Sequence, residues 1–211
     1  MKHFFITGTD TDCGKTYVTA RLANHFSASA AIKPVASGCM EIEGKLVSSD
    51  AQYIQKNSIN LDVINPWRFK MPVSPHIAAY CEGGYLSIDE IADYCLNLQL
   101  DGIETLFIEG AGGLMVPLND HETWIDFLRI TKIPVILVVG MKLGCINHAL
   151  LTEMVLRTNN IQCMGWIANC IDPAMQALSA NIDTLNQKLN SPLLARVPFG
   201  GELNMIGSFL D

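Results

Sequence analysis

One run near the start of the chain limits the fold more than any other stretch: Gly8-Thr9-Asp10-Thr11-Asp12-Cys13-Gly14-Lys15-Thr16. An apolar segment, Phe4-Phe5-Ile6, precedes it, and a helix-like segment from Tyr17 to His25 follows. A strand, a glycine-containing turn and a helix start, in that order, make a phosphate-binding P-loop. The backbone N–H groups of such a turn face inward and cradle phosphate oxygens, and the helix adds its positive end. Lys15 then reaches the transferred phosphate and the Thr16 hydroxyl a magnesium ion, so a nucleoside triphosphate is the expected ligand. The loop is longer than the common form. Four residues normally separate its first glycine from Gly-Lys-Thr; here Thr9 holds that place and Gly8 lies one residue further out. A lysine on such a loop is expected to be solvated and to support little of the core.

The rest of the chain supplies the layers a P-loop needs. Strand-like apolar runs fall at 3–7, 30–35, 104–109, 133–140, 162–169 and 192–197. Helix-like segments fall at 15–26, 50–57, 76–82, 87–100, 122–131, 145–159 and 173–190. Ser87-Ile88-Asp89-Glu90 has the pattern of a capping box. Strands that are nearly continuous Val, Ile and Leu suit a parallel sheet covered on both faces. The alternation predicts an α/β, doubly wound, mainly parallel sheet flanked by helices, in a single domain over 1–211. Strand order does not follow from this pattern. In such sheets ligands bind at the carboxyl ends of the strands. The loops there are 8–16, 33–50, 109–118, 140–147, 169–173 and 198–211.

Composition narrows the partners. The 211 residues are 49% hydrophobic, enough for a sizeable core, and carry a formal net charge of −7. An acidic surface repels nucleic acid, so a bound nucleotide must be held by local donors and metal. The apolar run 133–139 is too short to cross a bilayer, and the N-terminus has no secretory pattern. A cytoplasmic protein without membrane contact is expected. Seven cysteines, with no C-x-x-C pair, argue against a disulfide framework or a structural zinc site.

The loops at the strand ends hold the candidate chemistry. Glu109 closes the strand Thr105-Leu106-Phe107-Ile108, where P-loop proteins carry an acidic residue near magnesium, and Gly110-Ala111-Gly112-Gly113 allows close backbone approach. Lys33, before Pro34-Val35-Ala36-Ser37-Gly38, either reaches into a site as a fixed point charge or is a solvated strand-end lysine. Asp50, after Ser48-Ser49, is either a helix cap or a second magnesium-side carboxylate. Lys142-Leu143-Gly144-Cys145-Ile146-Asn147-His148 starts a helix whose free N–H groups could take an anion, or is an ordinary connection. Asn169 could read a base edge or cap the next helix. The five histidines are scattered and carry no ligand assignment, and Trp67, Trp124 and Trp166 are packing residues.

Together these motifs, with Asn65-Pro66 and Ser74-Pro75-His76 between them, resemble the dethiobiotin synthetase family. The likeness runs in order from the first strand to about Asn169, and the lengthened P-loop is the form that family uses. The resemblance implies conversion of 7,8-diaminononanoate, CO2 and ATP into dethiobiotin, ADP and phosphate, in a cytoplasmic homodimer. One amine takes up CO2 as a carbamate, ATP phosphorylates it, and the second amine closes the cyclic urea. It also implies roles for residues. Lys15 and Lys33 are catalytic, Lys33 beside the carbamate and its phosphorylated form. Thr16, Asp50 and Glu109 hold magnesium. ATP is bound by Asp12, Cys13, Gly14, Lys15, Thr16 and Tyr17, by Asp50, by Glu109, Gly110, Ala111 and Gly112, and by Asn169, Cys170 and Pro198. Thr11 and Ser37 line the diamine end. Gly144, Cys145, Ile146 and Asn147 form the cradle for the substrate carboxylate, supplied by the second subunit.

Two departures stand out. Cys13 sits where valine is usual, and the tail after Pro198-Phe199-Gly200 is short and matches the family poorly. Competing classes fit less well. Partitioning and metal-pump ATPases carry an early lysine in the loop, and here that place is Asp10. A switch GTPase would need an Asn-Lys-x-Asp motif, which does not occur. A nucleotide sensor would not need the carbamate lysine.

Overall fold

The structure is a computed structural model that describes residues 1–55 and 59–209. In chain order the elements are β1 (Lys2–Gly8), α1 (Lys15–His25), β2 (Ser29–Ile32), β3 (Val35–Ala36), β4 (Met40–Ile42), β5 (Lys45–Val47), α2 (Ser49–Ile54), α3 (Leu61–Ile64), β6 (Trp67–Arg68), α4 (Pro75–Cys81), α5 (Ile88–Asn97), β7 (Thr105–Glu109), α6 (Trp124–Thr131), β8 (Val135–Gly140), α7 (Cys145–Thr158), β9 (Cys163–Asn169), α8 (Leu178–Lys188), β10 (Leu193–Val197) and β11 (Asn204–Met205). The central sheet has the order β11-β10-β9-β8-β1-β7-β2. Its pairings are parallel except for β11, which runs antiparallel on the β10 edge.

The period-2 alternation of the strands divides the core. Phe4, Ile6, Phe107, Ile136 and Val138 face α1 and α2, in a cluster with Val18, Leu22, Ala51 and Ile54. Phe5, Leu106 and Ile108 face the other way, against α5 and α6 through Ile88, Ile91, Trp124 and Phe127. Leu137, Val139, Trp166 and Ala168 continue that second face beneath α7 and α8. Phe5, Trp124 and Phe127 meet as a ring cluster with centroids 5.1–5.5 Å apart. Trp124 does more than fill space: its Nε1–H donates to the Ala111 carbonyl at 3.0 Å and fixes the loop after β7. No helix among the described residues is long and apolar enough to cross a membrane.

Several expected boundaries shift for identifiable reasons. The run 30–35 is not one strand. It stops at Ile32, and Val35–Ala36 pairs with Trp67–Arg68 in a separate small sheet. Pro34 has no N–H to continue a ladder, and Asn65 Nδ2 donates to the carbonyls of Lys33 (2.7 Å) and Pro34 (3.2 Å). The helix expected over 173–190 starts only at Leu178, after Ala177 takes a left-handed φ of 52°. The helix expected over 50–57 is seen as Ser49–Ile54, and its last two positions lie outside the described residues. Ser87 caps α5 from its hydroxyl, but the reciprocal capping box belongs to Thr123 and Asp126 at the start of α6.

Candidate active site

The carboxyl ends of β1, β7 and β2 converge beside one cavity of about 510 Å³. Its lining brings together Thr11, Asp12, Gly14, Lys15, Thr16, Tyr17, Lys33, Asp50, Glu109 and Gly112, with Ser49 and Tyr53 added. Topology explains the convergence. Because β7 lies between β1 and β2, Glu109 at its end stands between the P-loop helix and Lys33.

The P-loop is built tightly. Gly14 has a φ of 81° and caps α1, and a Cβ there would lie 2.1 Å from Asn169 Nδ2. Only glycine meets both demands. Asn169 Nδ2 donates to the Cys13 carbonyl at 2.9 Å, so this buried amide braces the loop from the end of β9. It caps no helix, since α8 begins nine positions later, at Leu178. Cys13 is fully buried. Lys15 is not solvated as expected. It is 4% exposed, and its ammonium folds back onto the carbonyls of Asp10 (2.9 Å) and Thr11 (3.2 Å). An ammonium in a cavity needs acceptors, and the loop carbonyls supply them.

Both open readings at Lys33 and Asp50 resolve toward the cavity. Lys33 is 7% exposed and pairs with Glu109 Oε1 at 2.8 Å and with Asp50 Oδ2 at still closer range. Burial alone would lower its pKa, but Glu109 and Asp50 outweigh it and push the value up to about 12. Ser48, not Asp50, caps α2, accepting from Ala51 N at 3.3 Å, which leaves the Asp50 carboxylate free to face Lys33. Thr16 Oγ1 donates to Glu109 Oε1 at 2.7 Å. Glu109 is fully buried, and its second oxygen, Oε2, has no hydrogen-bond partner.

That orphaned anionic oxygen, beside a threonine hydroxyl and a second carboxylate, is a donor set suited to a hard cation. No group of three or more His, Cys, Asp or Glu forms a metal cage among the described residues. Magnesium does not require one, because it keeps several waters and takes one or two carboxylates.

The remaining expected residues stand apart from the cavity lining. Ser37 is half-buried beyond Val35–Ala36, and Cys170 and Pro198 lie past β9 and β10. Gly110 and Ala111 form the backbone of the loop after β7. Gly144, Cys145, Ile146 and Asn147 start α7 with no side-chain cap, and the Cys145 N–H donates to the Lys142 carbonyl at 3.0 Å. Lys142 ties that start to the P-loop through Asp10 Oδ2 at 2.5 Å, and this bond raises the Lys142 pKa. Tyr53 carries no assignment from the sequence, and Asn65, named there only within the Asn65-Pro66 motif, has its role revealed by its contacts with the carbonyls of Lys33 and Pro34. Tyr53 lies at i+3 from Asp50 on α2, which is the one local signal that could have brought it in.

A family model described as an AAA domain matches residues 2–205. An ATP-dependent dethiobiotin synthetase BioD of Legionella pneumophila (strain Paris) is 62% identical over 98% of this chain and 98% of its own. The protein of that name from Pseudoalteromonas translucida is 42% identical over 94% and 91%. Among solved structures, the septum site-determining protein MinD complexed with Mg-ADP from Pyrococcus horikoshii aligns with a TM-score of 0.57 at 16% identity, over 93% of this chain and 81% of that one. A ParA family ATPase from Chlorobium tepidum aligns with a TM-score of 0.56 at 12% identity, over 93% and 84%. At such identities these structures share the fold alone.

Proposed function

The chain belongs to the dethiobiotin synthetase family, and from that premise we propose how its own residues perform the family's reaction. It is an ATP-dependent cyclo-ligase that closes diaminononanoate with CO2 to dethiobiotin, in biotin biosynthesis. One amine adds to CO2 and loses a proton, giving a carbamate. A carbamate oxygen takes the terminal phosphoryl group of ATP and releases ADP. The second amine attacks the activated carbonyl carbon and gives up a proton, and phosphate leaves as the ring closes.

The observation that carries this reading is the ion-paired set Lys33, Glu109 and Asp50 beside the P-loop. No cysteine lines the cavity, and its one serine, Ser49, has no hydrogen-bonded base among the described residues, so charge and position must do the catalysis. Lys15 exchanges its loop carbonyls for phosphate oxygens and follows the transferring group. Lys33 stays protonated and offers a fixed ammonium where negative charge accumulates. That charge is larger in the transition state than in bound ATP, so the stabilisation is differential. Thr16, Asp50 and Glu109 would hold magnesium, which neutralises phosphate oxygens when bound. Thr11, in the cavity lining, and Ser37, outside it, would serve the diamine end, and Asn169, Cys170 and Pro198, also outside the lining, would serve the nucleotide.

We also propose a homodimer in which the start of α7, Gly144 to Asn147, cradles the substrate carboxylate of the neighbouring copy. In support, none of the four lines the cavity of its own chain, and Leu143 beside them is 96% exposed. Residues 1–211 are taken as one domain, because the three apolar clusters share one sheet. All seven cysteines are free, which suits a reducing cytoplasm, and the acidic balance suits small-molecule partners over nucleic acid.

The test pairs a mass-spectrometric assay for dethiobiotin with calorimetry of ATP binding. Wild type should form product only with diaminononanoate, bicarbonate and Mg-ATP together. Lys33→Gln should keep ATP affinity within a few-fold and lose roughly 10² or more in product formation. Joint loss of binding and turnover would make Lys33 a nucleotide ligand instead. Unchanged turnover would remove it from the reaction.

A further inference from the structure

Two of the residues lining the cavity have no part in phosphate or cation chemistry. Tyr17 follows Thr16 on α1, and Tyr53 lies one turn after Asp50 on α2. Their rings stack with centroids 6.2 Å apart and planes 26° from parallel. Tyr53 is 51% exposed, so its ring offers an open aromatic surface in a cavity lined otherwise by glycines and polar or charged residues.

Tyr17 is held from several directions. Its hydroxyl donates to the Gly201 carbonyl at 2.8 Å and accepts from Arg21 Nη2 at 2.9 Å. The Arg21 guanidinium carbon lies 4.4 Å from the Tyr17 ring centroid, and Arg21 Nε pairs with Glu202 Oε2 at 3.1 Å. Gly201 N in turn donates to the Pro198 carbonyl at 2.9 Å. The segment after β10 is thereby fastened to the first turns of the P-loop helix. A ring fixed in advance loses little freedom when a ligand packs on it.

We propose that Tyr17 and Tyr53 form the wall against which the sugar-and-base end of ATP packs, with Tyr17 positioned there by Arg21 and the turn at 198–201. The proposal rests on the reading of this cavity as the ATP site. The phosphate cradle of Gly14, Lys15 and Thr16 adjoins the wall directly in sequence and in the cavity. A triphosphate seated there leaves its nucleoside to find cover nearby, and an aromatic face accepts sugar and base alike.

The test compares ATP with inorganic tripolyphosphate, each with magnesium, by calorimetry. Tripolyphosphate carries the charges without the nucleoside. Tyr53→Ala should weaken ATP roughly tenfold and leave tripolyphosphate within about twofold, while Tyr53→Phe retains ATP. Tyr17→Phe keeps the ring and its contact with the Arg21 guanidinium but loses the hydroxyl's hydrogen bonds with Gly201 and Arg21, and should weaken ATP several-fold with tripolyphosphate unchanged. Equal losses for both ligands, or none for ATP, would overturn the wall. Full ATP affinity in Tyr17→Phe would overturn the positioning by Arg21 and the turn. Tyr53 is half exposed, so its removal spares the core, and thermal unfolding checks this. Dethiobiotin formation by wild type is measured alongside. Product without a tyrosine effect defeats the wall alone; a tyrosine effect without product defeats the reaction and leaves the wall standing.

Discussion

Glu109 answers to three claims at once. One oxygen accepts from Thr16 and Lys33, the other is buried without a partner, and the whole side chain is out of solvent. An unpartnered buried polar atom costs on the order of 1–3 kcal/mol, so its place in a functional cavity is where that cost has a use. Glu109→Gln should therefore raise the magnesium concentration needed for half-maximal ATP binding. An unchanged requirement in a magnesium titration would remove Glu109 from the cation site. Lys33 carries the complementary prediction. Its pKa is raised from 10.5 to about 12 in the folded protein. A raised value stabilises the fold fully below the ordinary pKa and is lost as pH rises through the folded one. Wild type should thus lose stability between about pH 10.5 and 12 in a component that Lys33→Gln lacks, read as the difference in urea midpoint across that window. Neither pairing was legible locally. Lys33 and Glu109 are 76 positions apart, and a strand-end lysine looks the same whether it faces solvent or a carboxylate. The P-loop lysine was legible in kind but not in state, because the carbonyls that hold it come from the loop's own folded shape.

At the scale of elements, the break after β2 decides where Lys33 points. The apolar run 30–35 reads as one strand because Val35 and Ala36 continue its pattern. What ends it is Asn65, fully buried, whose amide donates to the carbonyls of Lys33, Pro34 and Trp67. The Asn65-Pro66 pair belongs to the family resemblance, yet its task as a splice between β2 and β6 depends on contacts more than thirty positions away. Asn65→Ala should cost about 1–3 kcal/mol in denaturant unfolding, since buried carbonyls lose their donor. It should also lower turnover more than ATP affinity, because the displaced group is Lys33. A variant that unfolds earlier but turns over normally would separate the splice from the site. The helices were legible where side-chain caps mark them, as at Ser48 and Ser87. They were overextended where a backbone feature such as the left-handed Ala177 sets the start.

For the whole molecule, the alternation of strands and helices gave the layer architecture, because buried parallel strands announce themselves by continuous apolar runs. Their order did not follow, since a parallel pairing is fixed by crossovers and packing, not by adjacency in sequence. The antiparallel β11, two residues in the poorly matching tail, was invisible for the same reason. If the start of α7 serves a neighbouring copy, activity per chain should fall on dilution as monomer appears in sedimentation. A fully active monomer would defeat the shared site. The sheet margins bear on how such copies can meet. One margin is the two-residue β11; the other is β2, four buried residues whose onward backbone at Lys33 already donates to Ile64 at 2.9 Å. Among the described residues, neither margin offers a long exposed edge on which a second chain could lay another strand. Two copies meeting as proposed would therefore join by the fit of side chains on helices and loops, and single surface substitutions would tune or abolish assembly without disturbing the sheet beneath.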